Sequence, residues 1–390
     1  MTGTYTKLKG TEYTFIHDSI FEICAYHYGK QFPEQMLKYM NSTYIANCVK
    51  PWNKETKDMF QKAENPFDLC IRLHNESQNS MLAERLYRDV ERMDLYNVFM
   101  NDALKHQGVC QAFIEVLKRK DYRELKSLFL DQIHGVHAEK FFDEVKTFVQ
   151  GKSNKDFMRS EQEEIGNSLS SWKTSCRFKH VNLLMGINYT RSLKRKNFTS
   201  TFRVISWVIY YGHHQILQYI IDQTKSHREI QSVIFLENRF QALVRLMRKS
   251  KEYQREKKRL FLLSCLSGDV ETLQIMLQYV SKIGALLNQG GAAESWSAPL
   301  VMASKEGLLR IVEELIKVGA DVNQQGKYDT PLTAACRGGH TLVVKMLIKS
   351  GSVVDLPNMK SETPIMIASL HNPSVLKILT ENGACFEQKS

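Results

Sequence analysis

A chain of 390 residues with 43% apolar and 10% aromatic side chains is long enough for two or three domains with buried cores. Its 8 prolines and 20 glycines exclude collagen-like, mucin-like and wholly disordered organisation. The 53 Lys and Arg against 42 Asp and Glu leave a formal charge of +11, and the excess is local: residues 151–260 hold 22 basic and 9 acidic side chains, while the remainder is nearly neutral.

No run approaches the roughly 18 consecutive apolar residues of a membrane span, and the polar stretch Met1–Gly10 has no apolar signal core. Cys24, Cys48, Cys70, Cys110, Cys176, Cys265, Cys336 and Cys385 contain no C-x-x-C pair. They read as reduced, mostly buried thiols, so a cytoplasmic location is expected. In chain order, apolar residues at helical spacing predict helices over Asp18–Gly29, Met81–Asn101, Val109–Lys118, Tyr122–Leu130 and Ala138–Phe148. Pro33, Pro51 and Pro66 mark breaks among the earlier ones.

The segment Thr11-Glu-Tyr-Thr-Phe-Ile-His-Asp-Ser-Ile-Phe-Glu-Ile-Cys-Ala-Tyr-His-Tyr-Gly29 is similar to the winged-helix-like segment that follows the nucleotide-binding core of STAND-class NTPases. These are signalling ATPases of innate immunity and programmed cell death, found in invertebrates with ankyrin repeats behind them. The resemblance implies a short strand running from Tyr13 into a helix at Asp18, and it places His17 near the nucleotide of the inactive state. No G-x-x-x-x-G-K-[ST] loop occurs in the sequence. The chain is therefore read as a C-terminal piece or a truncated paralogue of such a sensor, with His17 structural.

Catalytic constellations are not found. His17-Asp18-Ser19 are adjacent on one helix and point in different directions, and His134-x-x-His137 has no third ligand at zinc spacing. H-E-x-x-H, G-x-S-x-G and a Gly-rich dinucleotide turn do not occur. No enzyme activity, cofactor, metal or small-molecule ligand is expected.

The basic excess gathers in two clusters, Arg191, Lys194, Arg195 and Lys196, then Arg245, Arg248, Lys249, Lys251, Arg255, Lys257, Lys258 and Arg259. These residues serve either as a solvated face between packed helices or as a surface for nucleic acid or anionic lipid. With Tyr253 the single aromatic residue between Arg245 and Arg259, the second cluster is a poor stacking platform for single strands.

Three windows then repeat: Ala298-Pro-Leu-Val-Met-Ala-Ser-Lys-Glu-Gly307, Thr330-Pro-Leu-Thr-Ala-Ala-Cys-Arg-Gly-Gly339 and Thr363-Pro-Ile-Met-Ile-Ala-Ser-Leu-His-Asn372. Each leads into a second apolar helix, at Leu308–Val318, Thr341–Lys349 and Ser374–Thr380. Proline suits a first helical turn, small Ala303, Ala335 and Ala368 allow close approach, and Gly307 and Gly339 suit a left-handed helix end, a role expected of Asn372 in the third window. The pattern resembles the ankyrin repeat, most closely over Thr330–Ser350. Weaker units are read at Leu262–Gly268 and Ser206–Gly212, with Trp207 and Tyr210 too bulky for the small positions. About five units are expected over 200–390, the least recognisable between Asp222 and Lys258.

The resemblance implies binding through loop tips and the exposed side of the first helices. Position by position it selects Lys305, Glu306, Arg337, Leu370 and His371 on the helices, and Glu294, Ser297, Lys327, Asp329, Lys360 and Glu362 on the fingers. The expected architecture is all-α: a winged-helix-like start over 1–45, a helical region over 46–150, a basic helical region with degenerate units over 151–260, and an ankyrin α-solenoid over 261–390. The expected function is non-catalytic recognition of a protein partner, the alternative being nucleic-acid or anionic-lipid binding through 191–259.

Overall fold

The computed structural model describes residues 6–9, 12–15, 18–52, 69–131, 203–225, 250–279, 287–288, 298–326 and 328–385. His17, His134, His137, Ala138–Phe148, Arg191, Lys194, Arg195, Lys196, Arg245, Arg248, Lys249, Glu294, Ser297 and Lys327 lie outside the described residues, as do the side chains of Lys251, Arg255, Lys257 and His371. The chain divides into two compact units, 1–129 and 130–390. Among the described residues no helix is long and apolar enough to cross a membrane.

The first unit is mostly helical, with two small two-stranded sheets beside its helices. Strands β1 (Thr6–Lys9) and β2 (Glu12–Phe15) pair antiparallel, Thr6 opposite Phe15, ahead of α1 (Asp18–Gln31). Helices α2 (Pro33–Tyr39) and α3 (Ser42–Cys48) follow, the first with Pro33 in its opening turn and the second capped by Asn41, whose side chain accepts from Tyr44 N at 2.7 Å. Strand β3 (Val49–Lys50) then pairs in parallel with β4 (Ile71–Arg72), burying Val49 and Ile71.

The apolar spacing over 81–101 predicts one helix, but the structure breaks it into α4 (Glu76–Glu91) and α5 (Leu95–Phe99). Met93 is left-handed at φ 62, while Asp94 N donates to Asp89 O and Met93 N to Val90 O. This is the double bond of a Schellman stop with methionine where glycine is usual. A 3-10 turn (Asp102–Lys105) leads to α6 (Gln107–Lys118), which packs on α4. The predicted helix over Tyr122–Leu130 begins as α7 (Tyr122–Leu125) and widens into a π turn at Lys126–Leu130.

The second unit is a stack of helical hairpins: α8 (Val204–Tyr210) with α9 (His214–Lys225), α10 (Ser250–Leu266) with α11 (Val270–Tyr279), α12 (Pro299–Lys305) with α13 (Leu309–Lys317), α14 (Pro331–Gly338) with α15 (Thr341–Lys349), and α16 (Pro364–His371) with α17 (Pro373–Glu381). First helices touch first helices along the series, and second helices touch second helices. The two upstream hairpins thus continue the stack of the three with clear repeat sequence. Helix α8 lies directly on α10, while most of the unit expected between Asp222 and Lys258 lies outside the described residues.

One small motif builds each junction. Gly212, Gly268, Gly307 and Gly339 end first helices with φ of 71–72°. Over each sits the residue that opens the second helix of the next hairpin: Asp269, Leu308, His340 and Asn372. His340 Nε2 donates to Lys305 O at 2.9 Å and Asn372 Nδ2 to Cys336 O at 3.0 Å, so each reaches back to the preceding repeat.

Asn372 therefore does not take the left-handed place expected of it. Its φ is −143° and its ψ 85°, and it caps both α16 and α17, because Pro373 drives the residue before it into extended backbone. The last repeat has lost one loop residue, and Asn372 has moved into the position of His340. Trp207 is also accommodated: it is 1% exposed and stacks on Tyr211 with ring centroids 6.1 Å apart.

Candidate binding surface of the repeat array

Capping residues fix the frame on which the candidate side chains stand. Thr330 Oγ1 accepts from Thr333 N at 3.2 Å while Thr330 N donates to Thr333 Oγ1 at 2.8 Å, a reciprocal capping box at the start of α14. Thr363 caps α16 in the same position. At the other end of the hairpins, Asp321 N donates to Asn288 Oδ1 at 3.0 Å, Val353 N to Asn323 Oδ1 at 2.8 Å, and Cys385 N to Asp355 Oδ1 at 3.0 Å. These side-chain staples fix the spacing of neighbouring loops.

The fingers before α14 and α16 carry Asp329, Lys360 and Glu362 of the residues selected from the sequence. Arg337 Nη2 donates to Asp329 Oδ1 at 3.0 Å and to Glu362 Oε2 at 2.8 Å. Asn358 Nδ2 donates to the same two carboxylates at 2.9 Å and 2.8 Å. Arg337, Asp329 and Glu362 thus form one cluster that joins two fingers. Lys305 and Lys360 are exposed, Glu306 is half-buried, and Leu370 is 75% exposed on α16.

Met359 N donates to Tyr328 O at 3.1 Å, tying the two fingertips, and both side chains are 55% exposed. These two residues were not selected from the sequence. The available signal was their position, one residue before Asp329 and one before Lys360, where a large apolar side chain in a polar loop is out of place.

The basic clusters fare differently. Arg259 is 1% exposed, with Nη2 donating to Ser206 Oγ of α8 at 3.1 Å, and Lys258 is buried. Neither belongs to an exposed basic surface. The turn of α10 that carries them has entered the stack, where an arginine fork reaches a hydroxyl across two first helices.

Among the described residues, one potential ligand atom from each of His214, Asp269 and Glu271 lies within 4.8 Å of the other two. Asp269 Oδ2 already accepts from Thr272 N at 2.8 Å and faces His214 Nδ1 at 3.2 Å. The arrangement works as a cap and as a clasp between the first two hairpins. A separate groove in the first unit is lined by Trp52, Asn79, His106, Gln111 and Lys118. Within it Asn79 Oδ1 accepts from Trp52 N and Asn79 Nδ2 donates to Trp52 O. Burial holds the His106 imidazole below its ordinary pKa, leaving it neutral at physiological pH.

The finger cluster has a pH signature. The Asn358 amide, and after it the Arg337 guanidinium, hold the Glu362 carboxyl below its ordinary value. A carboxyl depressed on folding contributes stability above its unfolded pKa, near 4.5, and loses it as pH falls through the lower folded value. Glu362→Gln is expected to flatten the fall of Tm between about pH 5 and pH 3 relative to the parent chain. Parallel thermal melts across that window check this.

Family comparison agrees with the geometry, since the model for ankyrin repeats, three copies, matches residues 300–390. Residues 300–390 carry ankyrin repeats. The chain is 32% identical over 120 residues to the ankyrin repeat and KH domain-containing protein mask-1 of Caenorhabditis elegans, covering 30% of this chain and 4% of that protein. It is 33% identical over 105 residues to ankyrin repeat and KH domain-containing protein 1 of Homo sapiens, covering 26% of this chain and 4% of that protein. The ankyrin match thus spans about one twenty-fifth of each relative's length. The ankyrin array, with its exposed fingertips, is a protein-interaction module in form.

Proposed function

We propose that the chain is a non-catalytic recognition module whose ankyrin array holds a protein partner on the fingers before α14 and α16 and on the exposed side of their first helices. One observation carries this reading: Tyr328, Met359 and Leu370 present large apolar side chains to solvent around a salt-bridged cluster that fixes the two fingers relative to each other. Aromatic and methionine side chains on a rigid frame are the composition of interface hot spots. Lys305, Glu306 and Lys360 supply a polar rim, while Arg337, Asp329 and Glu362 organise the fingers.

The triple variant Tyr328→Ala, Met359→Ala and Leu370→Ala is expected to lose partner affinity by on the order of a hundredfold with its melt unchanged. Unchanged affinity would contradict the reading.

Our reading of the first unit is a regulatory arm derived from a STAND-type signalling sensor of innate immunity. Its support is the order hairpin, then helix, at Thr6–Lys9, Glu12–Phe15 and Asp18–Gln31, around the aromatic-Ile-His-Asp sequence. Calorimetry of the full chain with ADP is expected to register no binding, and stoichiometric binding would overturn the view that this chain lacks the engine. Binding of nucleic acid or anionic lipid would have to rest on Arg191, Lys194, Arg195, Lys196, Arg248, Lys249, Arg255 and Lys257, since Lys258 and Arg259 are buried.

A further inference from the structure

Two cysteines 22 residues apart in sequence flank one parallel strand pair in the first unit. The parallel pairing of β3 and β4 sets Val49 against Ile71 and Lys50 against Arg72, and Leu73 N donates to Lys50 O at 3.0 Å. Cys48, the last residue of α3, and Cys70 each immediately precede a residue of the pair Val49 and Ile71, one step of the chain from the ladder. Neighbouring strands run roughly 5 Å apart. That separation falls within the range over which two Cα atoms are bridged by a disulfide without moving the backbone.

Their surroundings mark the pair as accessible. Both cysteines are half-buried thiols. Tyr44, one helical turn before Cys48 on α3, places its hydroxyl beside the Cys48 thiol and within electrostatic reach of Cys70. Three other cysteines are set apart by depth. Cys110, Cys265 and Cys336 are buried, and burial pushes the Cys110 thiol up to about 11 and the Cys336 thiol up to about 12. Thiols held protonated in apolar surroundings are poor nucleophiles.

We propose that Cys48 and Cys70 form an oxidisable dithiol pair that takes a hydroperoxide as its substrate and closes to a disulfide between β3 and β4. One thiolate attacks the peroxide O–O bond, forming an S–O bond and releasing the distal oxygen as water after protonation. The second thiolate attacks the resulting sulfenic sulfur, forming the S–S bond and expelling a second water. Two thiols lose two electrons and two protons in all, and hydrogen peroxide is reduced to two waters. A dithiol reductant reverses the step by exchange.

The test uses the full chain exposed to a small excess of hydrogen peroxide, alkylated, and digested with trypsin without reduction. Cys48 and Cys70 fall in separate tryptic peptides, residues 39–54 and 63–72. The expected product is those two peptides joined and lighter by two hydrogens than their sum, with two fewer alkylatable thiols per chain. The same product is expected from Cys385→Ser and is expected to be missing from Cys48→Ser and Cys70→Ser. A reducing agent should restore both thiols and the original melt. Both cysteines alkylated while exposed Cys385 is oxidised would overturn the proposal, as would a bridge from either to Cys24 or a terminal sulfinic or sulfonic acid on either one.

Discussion

Arg85→Ala is expected to lower folding stability by about 3–5 kcal/mol, enough to unfold a marginal domain. Arg85 and Asp89 lie one turn apart on α4 with side chains 7% and 2% exposed, joined at 3.0 Å. Arg85 also donates to Leu37 O at 3.1 Å, Lys38 O at 3.4 Å and Ser42 Oγ at 3.3 Å. One guanidinium therefore satisfies the C-terminal carbonyls of α2, the start of α3 and a buried carboxylate. Removing it leaves the Asp89 charge in a dry site and strips partners from three further acceptors. Asp89→Leu in the Arg85→Met background should recover much of the loss, because an apolar pair of similar volume needs no solvation. Urea denaturation of the parent, single and double variants checks both steps.

Gly307→Ala is expected to cost about 2–3 kcal/mol, in the second unit. Gly307 sits at φ 71, where an L-residue loses roughly 1 kcal/mol to its own Cβ. That Cβ would also run into the His340 ring, which is held in place by its bond to Lys305 O. The ring must swing out and its hydrogen bond must break. A double-mutant cycle separates the two parts: in the His340→Ala background the glycine substitution should cost the backbone part alone, so the singles together exceed the double. Additive losses would mean that the junction does not couple adjacent repeats.

The repeats were legible because proline, alanine and glycine recur at a step the eye can follow, and each serves backbone geometry that no neighbour can supply. Upstream, the glycines persist at Gly212 and Gly268 while the prolines do not, and tertiary stacking rather than local signal keeps those hairpins in register. The Schellman stop at Met93 was invisible because apolar spacing runs through it and methionine carries no left-handed preference. Arg259 read as surface charge because a charge run says nothing about which turn enters the core. Arg337, Asp329, Glu362 and Leu370 are candidates by position within the repeat, whereas Tyr328 and Met359 needed solvent exposure to stand out.

Recognition is assigned to the ankyrin fingers. Affinity capture from native lysate tests it most directly, at low and at moderate salt, with bound material read by mass spectrometry and nucleic-acid staining. Three baits are compared: the parent chain, the Tyr328, Met359 and Leu370 triple alanine variant, and a variant with Arg191, Lys194, Arg195 and Lys196 changed to Gln. The expected result is a defined protein set that survives moderate salt, is kept by the glutamine variant and is lost by the triple variant. Nucleic acid that binds all baits but the glutamine variant and vanishes with salt would contradict it.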